Sequence, residues 1–210
     1  MTTGPGEATP VLLLRHGQTS MSAERRYCGV SDVPLSPLGR RQALAAASRL
    51  AGAVDVIVTS PLRRAVETAA AVSVSPAVPV VAEPGFRETD FGLWEGCTFE
   101  DVRAKFPDEL AAWLGSPSVA PPGGESFTEA AERIQAALSR ILASYAGRRV
   151  LVVSHVTPIK ALVAFALGAP LSSLYRMHLD LATLTAIDYY SDGPSVLRSY
   201  NDASHLTGIS

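Results

Sequence analysis

Short apolar runs alternate along the chain with longer segments whose apolar residues recur every three or four positions. Val11 to Leu14, Asp55 to Thr59 and Arg149 to Ser154 are rich in Val, Leu and Ile, as expected of parallel strands buried on both faces. Val78 to Val81 is a weaker strand candidate. Thr183 to Tyr189 and Ser195 to Tyr200 flank Ser191-Asp192-Gly193, which marks a hairpin turn. The helices are signalled at their starts. Ser36-Pro37, Ser60-Pro61 and Thr157-Pro158 each put a capping hydroxyl before a proline suited to the first helical position. They predict helices from Pro37 to about Leu50, from Pro61 to about Val72, and beyond Pro158. Ser126 and Glu129 form a capping box. Behind it Phe127, Ala131, Ile134, Leu138, Ile141 and Tyr145 make one apolar helix face.

This alternation predicts an α/β fold, a three-layer α/β/α sandwich around a mostly parallel central sheet. Between about 83 and 124 the pattern breaks around Gly85, Gly92, Gly96, Gly115 and Pro121-Pro122-Gly123-Gly124. Short helices are expected there at Phe99 to Lys105 and Asp108 to Leu114. Together they read as a small helical insertion over the C-terminal strand ends, where open α/β sheets bind ligands. Residues 1–10 are small and polar and read as a flexible tail or linker; residues 11–210 read as one domain.

Composition narrows the function classes. With 210 residues, 47% hydrophobic and 18% charged, the chain reads as globular. A formal net charge of -2 without a basic stripe argues against a nucleic-acid binder. No signal peptide is visible, and no apolar run reaches the length of a spanning helix, so no membrane association is expected. Cys28 and Cys97 lack metal-ligand spacing. No metal or cofactor is expected, and a reduced cytoplasmic compartment is the simplest setting.

Polar residues gather where strands end. Arg15 and His16 follow the first strand, Ser154 and His155 a later one, Arg63 and Arg64 open a helix that itself follows a strand, and Glu88 lies in the irregular segment. Each alone has a bland explanation: a common tripeptide, a structural hydrogen bond, a solvated helix start, a surface carboxylate. Converging, they form a phosphoryl-transfer set. Neutral imidazole is a nucleophile toward phosphorus. Arginine forks bind phosphate oxygens bidentately, and a carboxylic acid beside a phosphate anion can protonate the leaving oxygen.

In order along the chain, LLLRHGQT, PLSPLGRRQA, SPLRRAVETA, FRETDFGLWEG, PPGGES and VLVVSH resemble the histidine phosphatase superfamily, also called phosphoglycerate mutase-like. The resemblance implies that His16 is the phosphorylated nucleophile, that Arg15, Arg64 and His155 surround the phosphoryl group, and that Glu88 is the general acid. Arg64 is preferred to Arg63, which is expected to face solvent or the substrate rim. Gly17, Thr19, Ser22, Arg26, Thr157 and Lys160 are implied on the substrate side. Two departures stand out. Ser22 replaces an asparagine that the family often has, and Val156-Thr157-Pro158-Ile159-Lys160 replaces a glycine pair after the second histidine. Thr157 is expected to cap its helix and offer its hydroxyl to the site. Lys160 either adds charge near the leaving group or is solvated. Trp94 is the better tryptophan for shaping a pocket, His178 belongs to a surface, and His205 to a mobile tail.

The SHVTPIK stretch is most similar to α-ribazole phosphatases and to the acid phosphatase domain that follows a ribonuclease H domain in some actinobacterial bifunctional proteins. That resemblance implies a small-molecule phosphomonoester as substrate and a ribonuclease H domain upstream in the full-length protein, and leaves room for a homodimer. Three functions compete: a metal-independent phosphomonoesterase, a phosphoglycerate-type phosphomutase, and a non-catalytic phosphate-binding module.

Overall fold

The computed structural model describes residues 6–73 and 78–209. Its centre is a six-stranded sheet in the order β3-β2-β4-β1-β5-β6. The strands are β1 (Ala8–Arg15), β2 (Val56–Thr59), β3 (Val80–Ala82), β4 (Val150–Ser154), β5 (Leu184–Tyr190) and β6 (Ser195–Asp202). The first four of that order run parallel, and β5 and β6 close the sheet as an antiparallel hairpin.

Period-two alternation assigns each strand residue to a face. Val11, Leu13, Val56, Val58, Val150 and Val152 pack against α6 (Phe127–Ser144) and α7 (Val156–Ala166). Leu14, Ile57, Leu151 and Val153 pack on the other side, against α2 (Pro37–Leu50) and α3 (Arg63–Val72). This is the expected three-layer sandwich. A third apolar cluster fills the insertion, where α4 (Phe99–Lys105) and α5 (Pro107–Gly115) pack around Trp94 and Trp113. Among the described residues no helix is long and apolar enough to cross a membrane.

Some local expectations change. Residues 1–5 lie outside the described residues, but Ala8, Thr9 and Pro10 belong to β1 and not to a flexible tail. They pair with Tyr190, Tyr189 and Asp188 of β5, while pairing with β4 begins only at Val11. Pro10 therefore sits where its missing N–H costs no ladder bond on the β4 side. His205 is not in a loose tail either. Its Nε2 lies 2.8 Å from the Ala182 carbonyl, and the Ala182 N–H donates to the His16 carbonyl at 3.2 Å.

The caps at Ser36 and at Ser126 with Glu129 form as expected. The other two proline signals mislead. Helix α3 begins at Arg63, without a side-chain cap. Helix α7 begins at Val156, with His155 at the capping position and no capping bond from a Thr157 side chain.

Candidate active site

The C-terminal ends of β2, β4 and β1 lie side by side: Thr59 is opposite Val153, and Ser154 opposite Arg15. The chain leaves them as Ser60, His155 and His16, so strand register alone brings these three residues together. The His16 N–H donates to the Ser154 carbonyl at 3.0 Å, and the Ser60 N–H to the Val153 carbonyl at 2.9 Å.

His16 is 5% exposed and lines a cavity of about 830 Å³. Its Nδ1 lies 2.8 Å from the Gly17 carbonyl. A carbonyl only accepts, so the proton sits on Nδ1 and the Nε2 lone pair is free. Burial, reinforced by the charges of Arg64 and Arg15, holds the imidazole pKa well below 6.5, so the ring is neutral at pH 7. That is the form a nucleophile needs.

Gly17 does not itself line the cavity. Its N–H donates to Thr68 Oγ1 at 3.2 Å. A Cβ there would stand 2.4 Å from the Gly39 carbonyl, and one on Gly39 would stand 2.1 Å from the Gln18 carbonyl. These two glycines let the loop after β1 lie directly on the start of α2.

Two guanidinium groups flank the histidine, and among the described residues neither forms an ion pair. Arg64, 1% exposed, donates to the carbonyls of Ser31 at 2.8 Å, Cys28 at 3.0 Å and Gly29 at 2.8 Å. Arg15 donates to the Leu179 carbonyl at 2.6 Å. Burial lowers its pKa to about 10 against the opposing pull of Glu88 and Asp180, so it stays charged at neutral pH. The Nε atoms of both arginines and Nδ1 of His155 are buried without a partner. Buried cations and donors left in this state are costly unless an anion completes them. Arg63, by contrast, is exposed and pairs with Glu67 at 2.7 Å, as expected of a residue facing solvent.

The loop that holds Arg64 is itself held by Glu95. Its carboxylate accepts from the Gly29 N–H at 2.8 Å, the Val30 N–H at 3.2 Å and the Ser31 hydroxyl at 2.6 Å.

Glu88 is 6% exposed and also lines the cavity. It accepts from the N–H groups of Thr89 at 2.9 Å, Val156 at 3.0 Å and Thr157 at 3.2 Å. Glu88 thereby replaces Thr157 as the cap of α7, which ties the carboxylate to the segment after His155. Behind it, Arg133 donates to the carbonyls of Gly85, Arg87 and Glu88 and pairs with Glu125. His155, fully buried, places Nε2 2.7 Å from Ser60 Oγ. Burial and the positive charge of Arg64 hold its pKa well below 6.5 as well.

Of the expected substrate-side residues, Thr19, Ser22, Arg26, Thr157 and Lys160 line the cavity. Ser22 is engaged with Thr19 in a reciprocal capping box. Arg26 pairs with Glu24 and donates to the Gly96 carbonyl. Lys160 is half-buried: Nζ donates to the Leu174 carbonyl at 3.2 Å, and burial lowers its pKa. Trp94 is sealed in the insertion core, and Trp113 is the tryptophan that reaches the cavity. His178 is exposed at the cavity's rim, 2.8 Å from Asp180. No group of three or more His, Cys, Asp or Glu among the described residues could hold a metal ion.

Sequence reasoning missed Ser60, Glu95 and Arg133. The first two sit inside the motifs SPLRRA and FGLWEG, where Ser60 passed for a cap; Arg133, on the α6 face toward Glu88, carried no signal.

The chain is similar to known proteins in sequence and in fold. Bifunctional protein Rv2228c of Mycobacterium tuberculosis is 45% identical over 203 residues, covering 96% of this chain and 56% of that protein; the chain thus spans about half the length of this curated relative. Phosphoserine phosphatase 1 of Hydrogenobacter thermophilus is 31% identical over 198 residues, 93% of each chain. The solved structure of a mycobacterial glucosyl-3-phosphoglycerate phosphatase, Rv2419c, with VO3 superposes with a TM-score of 0.85 at 32% identity, covering 93% of this chain and 100% of that one. The profile of the histidine phosphatase superfamily (branch 1) matches residues 11–202, and the chain belongs to that family.

Proposed function

We propose that the chain is a phosphomonoesterase that works through a phosphohistidine at His16 on a small phosphorylated metabolite. The observation that carries this is the set of buried cations and donors left without an anion around a neutral histidine whose Nε2 is free. Arg15, Arg64 and His155 would hold the phosphoryl oxygens, and Nε2 of His16 would attack phosphorus. As the P–O ester bond breaks, Glu88 gives its proton to the leaving oxygen, which departs as the alcohol. Glu88, now a carboxylate, takes a proton from water as that water attacks the phosphohistidine, and inorganic phosphate leaves. Gly17 acts behind the site by fixing the His16 ring, and Thr19, Ser22, Arg26, Thr157 and Lys160 act on the substrate side.

The motif resemblance further supports α-ribazole phosphate or a broad acid-phosphatase range as substrate and a ribonuclease H domain upstream in the full-length protein, and the free cysteines Cys28 and Cys97 suit a cytoplasmic setting.

Rapid-quench trapping with a phosphomonoester in EDTA tests the mechanism. One phosphohistidine per chain is expected, together with free phosphate and none of the isomer a phosphomutase would make from a phosphoglycerate. His16→Ala should abolish both. Undiminished phosphate release by that variant would overturn the proposal.

A further inference from the structure

One wall of the cavity is built from aromatic rings. Tyr27, Phe91, Trp113, Phe127 and Tyr175 all line it. Their centroids stand 4.9 Å apart for Tyr27–Phe91, 6.3 Å for Tyr27–Trp113, 5.2 Å for Trp113–Phe127 and 5.7 Å for Trp113–Tyr175. The rings come from separate segments: the turn after α1 (Ser20–Ala23), the insertion, the start of α6 and the 3-10 turns Leu171–Arg176 after α7. Phe99 adds a further ring at the mouth, 45% exposed.

Two polar groups beside this wall are held by backbone carbonyls. The Tyr175 hydroxyl donates to the Trp113 carbonyl, and Lys160 Nζ to the Leu174 carbonyl. Trp113 Nε1 is sealed from solvent. At the rim, Arg26 is paired with Glu24, and His178 with Asp180. Arg25 is exposed there, where water screens an ion pair to little worth.

From this wall we infer that the cavity selects phosphomonoesters whose leaving alcohol carries an apolar ring, and discriminates against small acids such as phosphoserine or a phosphoglycerate. The inference rests on the proposal that the phosphoryl group sits at His16. A cavity of about 830 Å³ is far larger than a three-carbon acid fills, and lies in the range that encloses ring-bearing ligands. A ring placed there gains apolar burial and edge-to-face contact. A carboxylate placed against the rings would lose water, and the cations nearest that wall are already engaged, Lys160 by the Leu174 carbonyl and Arg26 by Glu24 and the Gly96 carbonyl.

The test compares 2-phenylethyl phosphate with ethyl phosphate, whose leaving alcohols have similar acidity, so the chemical step is alike. For the full chain, kcat/KM is expected to favour the phenylethyl ester on the order of 10- to 100-fold, with phosphoserine and 3-phosphoglycerate below it. A ratio near one, or a preference for either acid, overturns the inference. Calorimetric binding of 2-phenylethylphosphonate against ethylphosphonate reads the same preference without turnover. If neither ester is hydrolysed but the phenylethylphosphonate binds more tightly by a similar factor, the inference stands and the phosphatase proposal fails. Equal affinities overturn the inference whatever the turnover. Trp113→Leu should lower the ratio severalfold; should that variant fail to fold, Phe99→Ala at the exposed mouth should lower it less. A ratio unmoved by any folded variant overturns the assignment of the preference to this wall.

Discussion

Ser60 Oγ lies 2.7 Å from Nε2 of His155, and both residues are fully buried. The same hydroxyl oxygen also accepts the Leu62 N–H at 3.3 Å, and in one ring tautomer its hydrogen goes to Nε2. A neutral His155 then carries its proton on Nδ1, the ring atom left without a partner. The ring centroids of His16 and His155 are 5.1 Å apart, which puts that donor beside the nucleophile. Ser60→Ala should release the tautomer and lower kcat/KM roughly 10- to 100-fold, the worth of a hydrogen bond to a charged group. Ser60→Thr, which keeps the hydroxyl, should restore most of it. Nitrogen chemical shifts of the His155 ring should show the proton leaving Nδ1 in the alanine variant alone. Unchanged shifts would remove Ser60 from the mechanism.

Glu88→Gln separates the carboxyl's two tasks. The amide can still accept an N–H bond at the start of α7 but cannot give up a proton. Alkyl phosphates, whose leaving groups are poor alkoxides, should lose about 10²- to 10⁴-fold in kcat/KM, which reports the steps up to the phosphohistidine and not the later attack of water. 4-Nitrophenyl phosphate, whose leaving group departs without a proton, should lose far less. Equal losses on the two substrates would mean that Glu88 is not the acid.

Burial of the two histidines also sets how stability depends on pH. Both have folded-state pKa values well below 6.5, so between those values and about 6.5 the unfolded chain binds more protons than the native one. Stability therefore rises with pH through that window and is lost as pH falls below about 6.5. The thermal midpoint of the wild type should decline on acidification from pH 7 to pH 5, and His155→Asn should flatten the decline. A variant curve parallel to the wild type would show that the histidine is not buried neutral.

Much of the fold was legible because parallel strands and amphipathic helices leave strong local patterns. Val150, Val152, Leu151 and Val153 alternate between two cores, and Ile134, Leu138 and Ile141 trace one helix face, while Phe127 at the start of α6 joins the insertion cluster. The candidate site was legible because Arg15 ends β1 and His16 and His155 stand directly after strands. What failed was reading caps from hydroxyl-proline pairs. Ser60 and Thr157 look like Ser36 in sequence, yet Ser60 is drawn to His155, and the end of α7 is taken by Glu88, distant in sequence. Tertiary bonds of this kind have no local signature. Trp94 and Trp113 were ranked the wrong way round because side-chain direction in an irregular insertion follows no period.

Arg133 shows how far such a tertiary bond reaches. Its guanidinium donates to the carbonyls of Gly85 and Arg87 at 2.8 Å each and of Glu88 at 3.1 Å, and pairs with Glu125 at 2.7 Å. It therefore fixes the backbone from which the Glu88 side chain projects, and Glu125 holds the guanidinium in turn. Lysine cannot reproduce a planar fork of several donors, so Arg133→Lys should behave much like Arg133→Met. Arg133→Met leaves Glu125 half-buried with only the longer contact to Arg87, at 3.3 Å, and should cost about 2–4 kcal/mol of stability. Adding Glu125→Gln should recover part of that loss, because no lone carboxylate then remains. The decisive reading is kinetic. If Arg133 positions Glu88, its loss should penalise alkyl phosphates more than 4-nitrophenyl phosphate, the same signature as Glu88→Gln in weaker form. A folded Arg133→Met enzyme that is slower on both esters by the same factor would assign the arginine to stability alone.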